Sequence, residues 1–204
     1  ADPDGKACYA LEGSIFIAGA AIQWLRDELG LIKTTAESEA AALSVSDTDG
    51  VYLVPAFTGL GAPHWDMEAR GMLTGLTRGS NKNHIIRASL EAMAYQTYDV
   101  IQTMEKETGV NIRSLAVDGG ATENNFLMQF QADILQIEVQ RVQYVETTAL
   151  GVAYLAGLGI GIWDKETLKS FASQKTIFAP EISENQRVSL IEGWNAAIKQ
   201  VVTR

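Results

Sequence analysis

The chain has few residues that could form covalent cross-links or bind metal: one cysteine and two histidines among 204 residues. A single cysteine, Cys8, excludes an internal disulfide and favours a reducing compartment, which we expect to be the cytoplasm. Neither His64 nor His84 has cysteine or acidic partners at the spacing of metal ligands, so the sequence predicts no protein-bound metal.

Long apolar runs and excess positive charge are also missing. No run approaches the ~20 apolar residues of a membrane span, and no signal peptide is predicted. Lysine and arginine number 16 against 25 aspartates and glutamates, a net charge of −9. We therefore expect neither nucleic-acid nor membrane binding. The pattern Gly-x-x-x-x-Gly-Lys-Ser/Thr is absent, which excludes a P-loop.

What is present predicts one α/β domain over residues 1–204, with a mixed sheet flanked by helices. Apolar content is 47% and no internal linker is visible. Predicted strands cover residues 8–11, 51–54, 72–75, 114–117 and 139–142. Predicted helices cover residues 14–29, 37–43, 82–107 and 148–158, with a further helix after Gly120 and a terminal helix that a Ser183–Gln186 capping box opens. Residues 163–180 are predicted to be a loop.

Apolar spacing predicts which helix faces are buried. The first helix, capped by Ser14, places five residues on one stripe: Ile15, Ala18, Ile22, Leu25 and Leu29. The terminal helix is predicted to turn Val188, Ile191, Trp194, Ile198 and Val201 inward. The opening strand has no sequence neighbour to complete a hairpin, so we expect an exposed sheet edge that tends to pair between chains.

One candidate site follows the strand at residues 115–117, which ends in Asp118-Gly119-Gly120. A glycine pair at a strand–helix junction lets the backbone approach a ligand and leaves helical N–H groups free. Asn124, four residues beyond Gly120, carries an amide that can donate and accept, as adenine recognition requires. The alternative is a plain strand–helix turn in which Asp118 is a cap.

A second pair has the same spacing on the first helix. Gly19 leaves room for a flat ring, and Gln23 offers an amide at its edge. Alone this pair could be a chance feature of the surface. Two small-plus-amide pairs on two helices instead favour the hypothesis that the helices converge on a purine.

A longer motif carries a resemblance to a known family. Residues 71–91, GMLTGLTRGSNKNHIIRASLE, read Gly-x-Leu-x-Gly-Leu, seven residues, His-Ile, two residues, then Ala-Ser-Leu-Glu. This order resembles the second signature of the FGGY carbohydrate kinases. The runs at residues 9–32, 54–66, 69–79, 117–135 and 148–158 resemble the C-terminal half of the members that phosphorylate glycerol.

The resemblance implies a ribonuclease H-like fold, shared with actin-like ATPases, and ATP or ADP as ligand with Mg²⁺ carried by the nucleotide. It assigns Gly19, Gln23, Gly120 and Asn124 to nucleotide-contacting positions. Gly119 completes the predicted set. Glycerol would be the second substrate, and a homo-oligomer is expected by analogy.

The chain departs from the family pattern in extent. The general-base aspartate and the residues that hold glycerol are expected outside this chain, so no catalytic residue is assigned within it. We expect an N-terminally truncated, partial C-terminal domain that is inactive alone. Two alternatives stay open: another FGGY kinase, acting on xylulose or gluconate, and a non-catalytic actin-like binding module.

Overall fold

The computed structural model describes residues 6–142, 146–171 and 175–203. Its helices are α1 (Gly19–Asp27), α2 (Glu37–Leu43), α3 (Lys82–Thr108), α4 (Asn125–Leu135), α5 (Thr147–Gly159), α6 (Lys165–Phe171) and α7 (Glu184–Val201). Its strands are β1 (Tyr52–Val54), β2 (Met72–Thr74), β3 (Ser114–Val117), β4 (Glu138–Val142) and β5 (Lys175–Phe178). Within these described ranges, no helix has the length and apolar character needed to cross a bilayer.

The strands form two small sheets. β1 pairs antiparallel with β2, with Leu53 opposite Leu73. In the second sheet, β3 runs parallel to β4 and β4 runs antiparallel to β5. This sheet is mixed, as predicted, and it sets the carboxyl end of β3 beside the start of α4.

Helix α3 is the central element, and it packs against α1, α2, α4 and β1. It begins at Lys82, as predicted, behind a capping box formed by Asn81 and His84. It ends one residue later than predicted, before Gly109, whose φ of 69° suits glycine. Ile86 and Leu90 on its inner face are buried.

An aromatic cluster joins α3 to α4 and α7. Tyr95 stacks on Trp194, with ring centroids 5.2 Å apart, and meets Phe130 edge-on at 5.4 Å. Both Tyr95 and Trp194 are buried. Because these rings come from three helices, they fix how the helices behind the candidate site pack.

Three predictions about the first thirty residues are wrong. Residues 8–11 form no strand and are exposed, because no other strand of the described chain pairs with them. Helix α1 begins at Gly19 instead of Ser14, and no side chain caps it. Leu29 is exposed, since the helix ends at Asp27, before that position can turn towards the core.

Two predictions about the C-terminal part are also wrong. The segment predicted as a loop contains α6 and β5. β5 pairs with β4 through its backbone although its side chains are mostly exposed, so it has no apolar pattern to predict it. Val188 is 42% exposed. At about 100° per residue it lies roughly 120° around α7 from Trp194, outside the buried stripe.

Candidate functional site

A cleft of about 490 Å³ opens between α1, α2, α3 and the connection from β3 to α4. Four of the five predicted site residues line it: Gly19, Gln23, Gly120 and Asn124. Leu90 and Met93 of α3 also line it. The two small-plus-amide pairs, about a hundred residues apart in sequence, therefore face one cavity.

The α1 wall is open where the sequence predicted room for a ring. A Cβ atom placed on Gly19 would meet no heavy atom within 4 Å. Gln23 is exposed one turn later, while Ile22 and Leu25 are buried and anchor the helix. This wall presents a bare backbone surface with an amide beside it.

The opposite wall is a tight turn. Gly119 has a φ of 88°, a conformation that suits glycine. Its carbonyl accepts from the N–H and the hydroxyl of Thr122, at 3.0 and 2.7 Å, which closes a 3₁₀ turn over Gly120–Glu123. Gly119 shapes the turn but does not line the cleft.

Two details of this junction differ from the sequence prediction. Gly120 and Asn124 do not share one helix, because the 3₁₀ turn comes between them and α4 starts at Asn125. Asp118 is not a cap: its carboxylate accepts from the Thr147 hydroxyl at the start of α5. The cap of α4 is Asn124.

Asn124 is held at both ends of its amide. Its Oδ1 accepts from the backbone N–H of Leu127 at 2.9 Å. Its Nδ2 donates to the hydroxyl of Ser38 at 3.2 Å. The side chain that the sequence singled out is thus fixed by α4 on one side and α2 on the other.

The wall that α2 supplies was not predicted from the sequence. Thr35, Ala36, Ser38 and Glu39 line the cleft from this short helix and the turn before it. Ser38 is only 2% exposed. Its position in a weakly amphipathic seven-residue segment carried no signal, since its partner is 86 residues away.

The charges around the cleft are acidic. Glu39 and Glu123 line it, and no lysine, arginine or histidine of the described chain does. The carboxylate of Glu39 accepts from the Nδ2 of Asn125 at 3.1 Å. A cavity of this kind suits an uncharged ring with polar edges better than it suits a phosphate, because carboxylates repel an anion.

The comparisons with known proteins agree with the fold. Residues 1–160 match the FGGY family of carbohydrate kinases, C-terminal domain. The glycerol kinase of Desulfitobacterium hafniense is 58% identical over 200 residues, which are 98% of this chain and 40% of that protein. Glycerol kinase 1 of Clostridium tetani is 58% identical over 199 residues, again 40% of its length. The chain thus spans about 40% of the length of these relatives.

Solved structures give the same result. The Plasmodium falciparum glycerol kinase crystallised with ADP superposes with a TM-score of 0.89 at 35% identity, over 96% of this chain and 39% of that one. A xylulose kinase from Lactobacillus acidophilus superposes with a TM-score of 0.75 at 22% identity, which shows the fold alone. The fold is the ribonuclease H-like, actin-like one predicted from the sequence. The chain belongs to the FGGY family of carbohydrate kinases and matches its C-terminal domain.

Proposed function

We propose that this chain is the nucleotide-binding portion of an ATP-dependent kinase that phosphorylates glycerol to sn-glycerol 3-phosphate. The observation that carries the proposal is the convergence of Gly19, Gln23, Gly120 and Asn124 on one cleft. The names of the relatives support glycerol as the substrate. The ADP with which the Plasmodium enzyme was crystallised supports the same nucleotide here.

In this proposal the purine lies in the cleft and the phosphates lie outside it. The ring rests against Gly19, where no side chain intrudes, and Gln23 and Asn124 offer amides to its edge. The acidic rim favours keeping the phosphates away from Glu39. They run instead along the glycine turn after β3, where backbone N–H groups can donate.

Mg²⁺ would bind as part of the nucleotide complex, not at a separate site on the protein. Among the described residues, no three histidine, cysteine or acidic side chains are grouped as metal ligands would be. In this proposal the ion keeps several waters and binds mainly through phosphate oxygens of the nucleotide. The ion would neutralise charge on the phosphates during transfer.

Phosphoryl transfer depends on positioning and on charge stabilisation. In our proposal this chain orients the nucleotide, while the general base and the glycerol-binding groups come from the remaining length that the relatives have. The whole span 1–204 then acts as one domain of a cytoplasmic homo-oligomer. The isolated chain should bind ADP without phosphorylating glycerol.

Two experiments test this proposal. Calorimetric titration of the chain with ADP should give one site, and Asn124→Ala should weaken it. The chain should also replace the C-terminal 40% of the Desulfitobacterium glycerol kinase in a chimaera with glycerol-dependent ADP release. The same chain joined to the N-terminal part of the Lactobacillus xylulose kinase should be inactive. An inactive glycerol kinase chimaera, or no ADP binding by the chain, would contradict the proposal.

A further inference from the structure

Ser38 has no part in the predicted site, yet it is the buried hydroxyl of the cleft wall. Its Oγ donates at 2.6 Å to the carbonyl of Thr35, in the turn that precedes α2. A hydroxyl has a single proton, so the Oγ of Ser38 can otherwise only accept. The donor that it accepts from is the Nδ2 of Asn124.

These bonds fix which way the amide of Asn124 faces. Leu127 contributes an N–H, which requires the amide oxygen, and Ser38 contributes lone pairs, which require the amide nitrogen. A flipped amide would set donor against donor at Leu127 and acceptor against acceptor at Ser38. In the observed orientation one N–H and one oxygen lone pair are left over.

We propose that Ser38 is a positioning residue for the base: it holds the Asn124 amide in the orientation that matches the N6–N7 edge of adenine. An asparagine reads that edge by donating to N7 and accepting from N6. Hypoxanthine carries an oxygen in place of the N6 amino group, so the oxygen of Asn124 would face another oxygen. This inference rests on the proposed function, and it adds a reason for preferring adenine.

The same helix contains a matched control. At its C-terminal end, Ser44 donates to the carbonyl of Ala41 at 2.6 Å and accepts from the Nδ2 of Asn83 at 2.8 Å. The bond pattern repeats that of Ser38, Thr35 and Asn124. Neither Ser44 nor Asn83 lines the cleft. Removing the Ser44 hydroxyl therefore breaks a hydrogen bond between Ser44 and α3 without releasing the amide at the site.

The test is titration of the wild-type chain and its Ser38→Ala and Ser44→Ala variants with ADP and with inosine diphosphate (IDP). Ser38→Ala should weaken ADP binding roughly threefold to tenfold, the worth of about one hydrogen bond. IDP binding should change little, so the ratio of the affinity for ADP to the affinity for IDP, which we call the preference, should fall by the same factor. Ser44→Ala should keep the wild-type preference, and Ser38→Thr, which retains a hydroxyl, should restore it.

The possible failures are distinguishable. If the wild-type chain binds ADP and Ser38→Ala keeps the full preference over IDP, the positioning role is wrong and the proposed function stands. If Ser44→Ala narrows the preference equally, general loosening of α2 explains the effect and the positioning role is again wrong. If the wild-type chain binds no nucleotide, both proposals fail. Should Ser38→Ala not fold, Ser38→Cys keeps the size of the side chain with a much weaker hydrogen-bonding group and should narrow the preference too.

Discussion

The Nε of Arg87 donates to the Oε1 of Glu91 across 2.8 Å, on a stretch of α3 where Glu91 is only 2% exposed. Glu91 is the last residue of the motif at residues 71–91, but it does not line the cleft that holds the candidate site. It faces Arg87, Tyr95 and, more distantly, Asp47. The end of the motif therefore serves the packing of α3.

Glu91 should make stability depend on pH. Burial raises the pKa of its carboxyl from 4.5 to about 7, and the bond from Arg87 only partly offsets this. Between these values the unfolded chain releases the proton first, so the free energy of unfolding falls as pH rises from about 4.5 to about 7. The fall should be on the order of 3 kcal/mol.

Denaturant unfolding at several pH values checks this expectation. Glu91→Gln should abolish the fall in the free energy of unfolding between about pH 4.5 and about pH 7. Glu107→Gln, at an exposed position on the same helix, should leave that fall unchanged. If the free energy of unfolding depends on pH equally in the wild type and in Glu91→Gln, Glu91 does not titrate between about pH 4.5 and about pH 7.

The role of Gly19 in ADP binding can be tested with a substitution at Gly19 and the same substitution at the next residue as a control. Gly19→Leu places a side chain in open space at the cleft, so it should abolish ADP binding without lowering the melting temperature. Ala20→Leu puts the same side chain on the same helix at an exposed position that does not line the cleft, and binding should persist. Calorimetry and thermal unfolding measure both effects. Undiminished binding by Gly19→Leu would exclude Gly19 from the site.

Gly193 and Tyr52 should behave as a pair. A Cβ atom on Gly193 would overlap the ring of Tyr52, whose hydroxyl donates to the carbonyl of Leu190 at 3.3 Å. Gly193→Ala should therefore destabilise the chain by about 1–3 kcal/mol through overpacking.

Tyr52→Leu removes the ring, so adding Gly193→Ala to that variant should cost much less. A double-mutant cycle by urea unfolding gives this interaction energy. Additive effects of the two substitutions would mean that overlap with the Tyr52 ring is not the reason that Gly193→Ala destabilises the chain.

Helix α5 carries an unusual surface. Val152 and Leu155 are 65% and 63% exposed on a helix that is apolar all round, a pattern typical of buried helices. We expect the isolated chain to bind a hydrophobic dye and to self-associate. The double variant Val152→Lys, Leu155→Glu should reduce both effects at an unchanged melting temperature, whereas Val188→Lys should not.

Dye fluorescence and sedimentation velocity over a range of concentrations measure these effects. A wild-type chain that stays monomeric and binds no dye would contradict the expectation.

The parts of the fold that depend on local patterns were predictable from the sequence. The capping box at Ser183 and the start of α3 at Lys82 rest on residues close together in the chain. So does the buried stripe of α7, which includes Ile191, Trp194 and Ile198. The prediction failed where pairing or length depends on distant partners. β5 exists because β4 lies beside it, and residues 8–11 form no strand because they have no such neighbour among the described residues.

The candidate site divides in the same way. Gly19, Gln23, Gly120 and Asn124 were found because each pair has a spacing that can be read along the chain. Ser38 was not predicted because its contact with Asn124, 86 residues away, cannot be read along the chain. The turn at Gly119 was predicted as a glycine junction. Its 3₁₀ geometry was not predicted, because it depends on hydrogen bonds between Thr122 and the Gly119 carbonyl that the sequence pattern does not indicate.

The central claim is that α1 and the start of α4 hold a purine between them. A crystal structure of this chain with ADP and Mg²⁺ tests it most directly. We predict the base against Gly19, with the Asn124 amide within hydrogen-bond distance of N6 and N7 and the phosphates along the glycine turn. A base bound elsewhere, or an empty cleft at saturating ADP, would contradict the account.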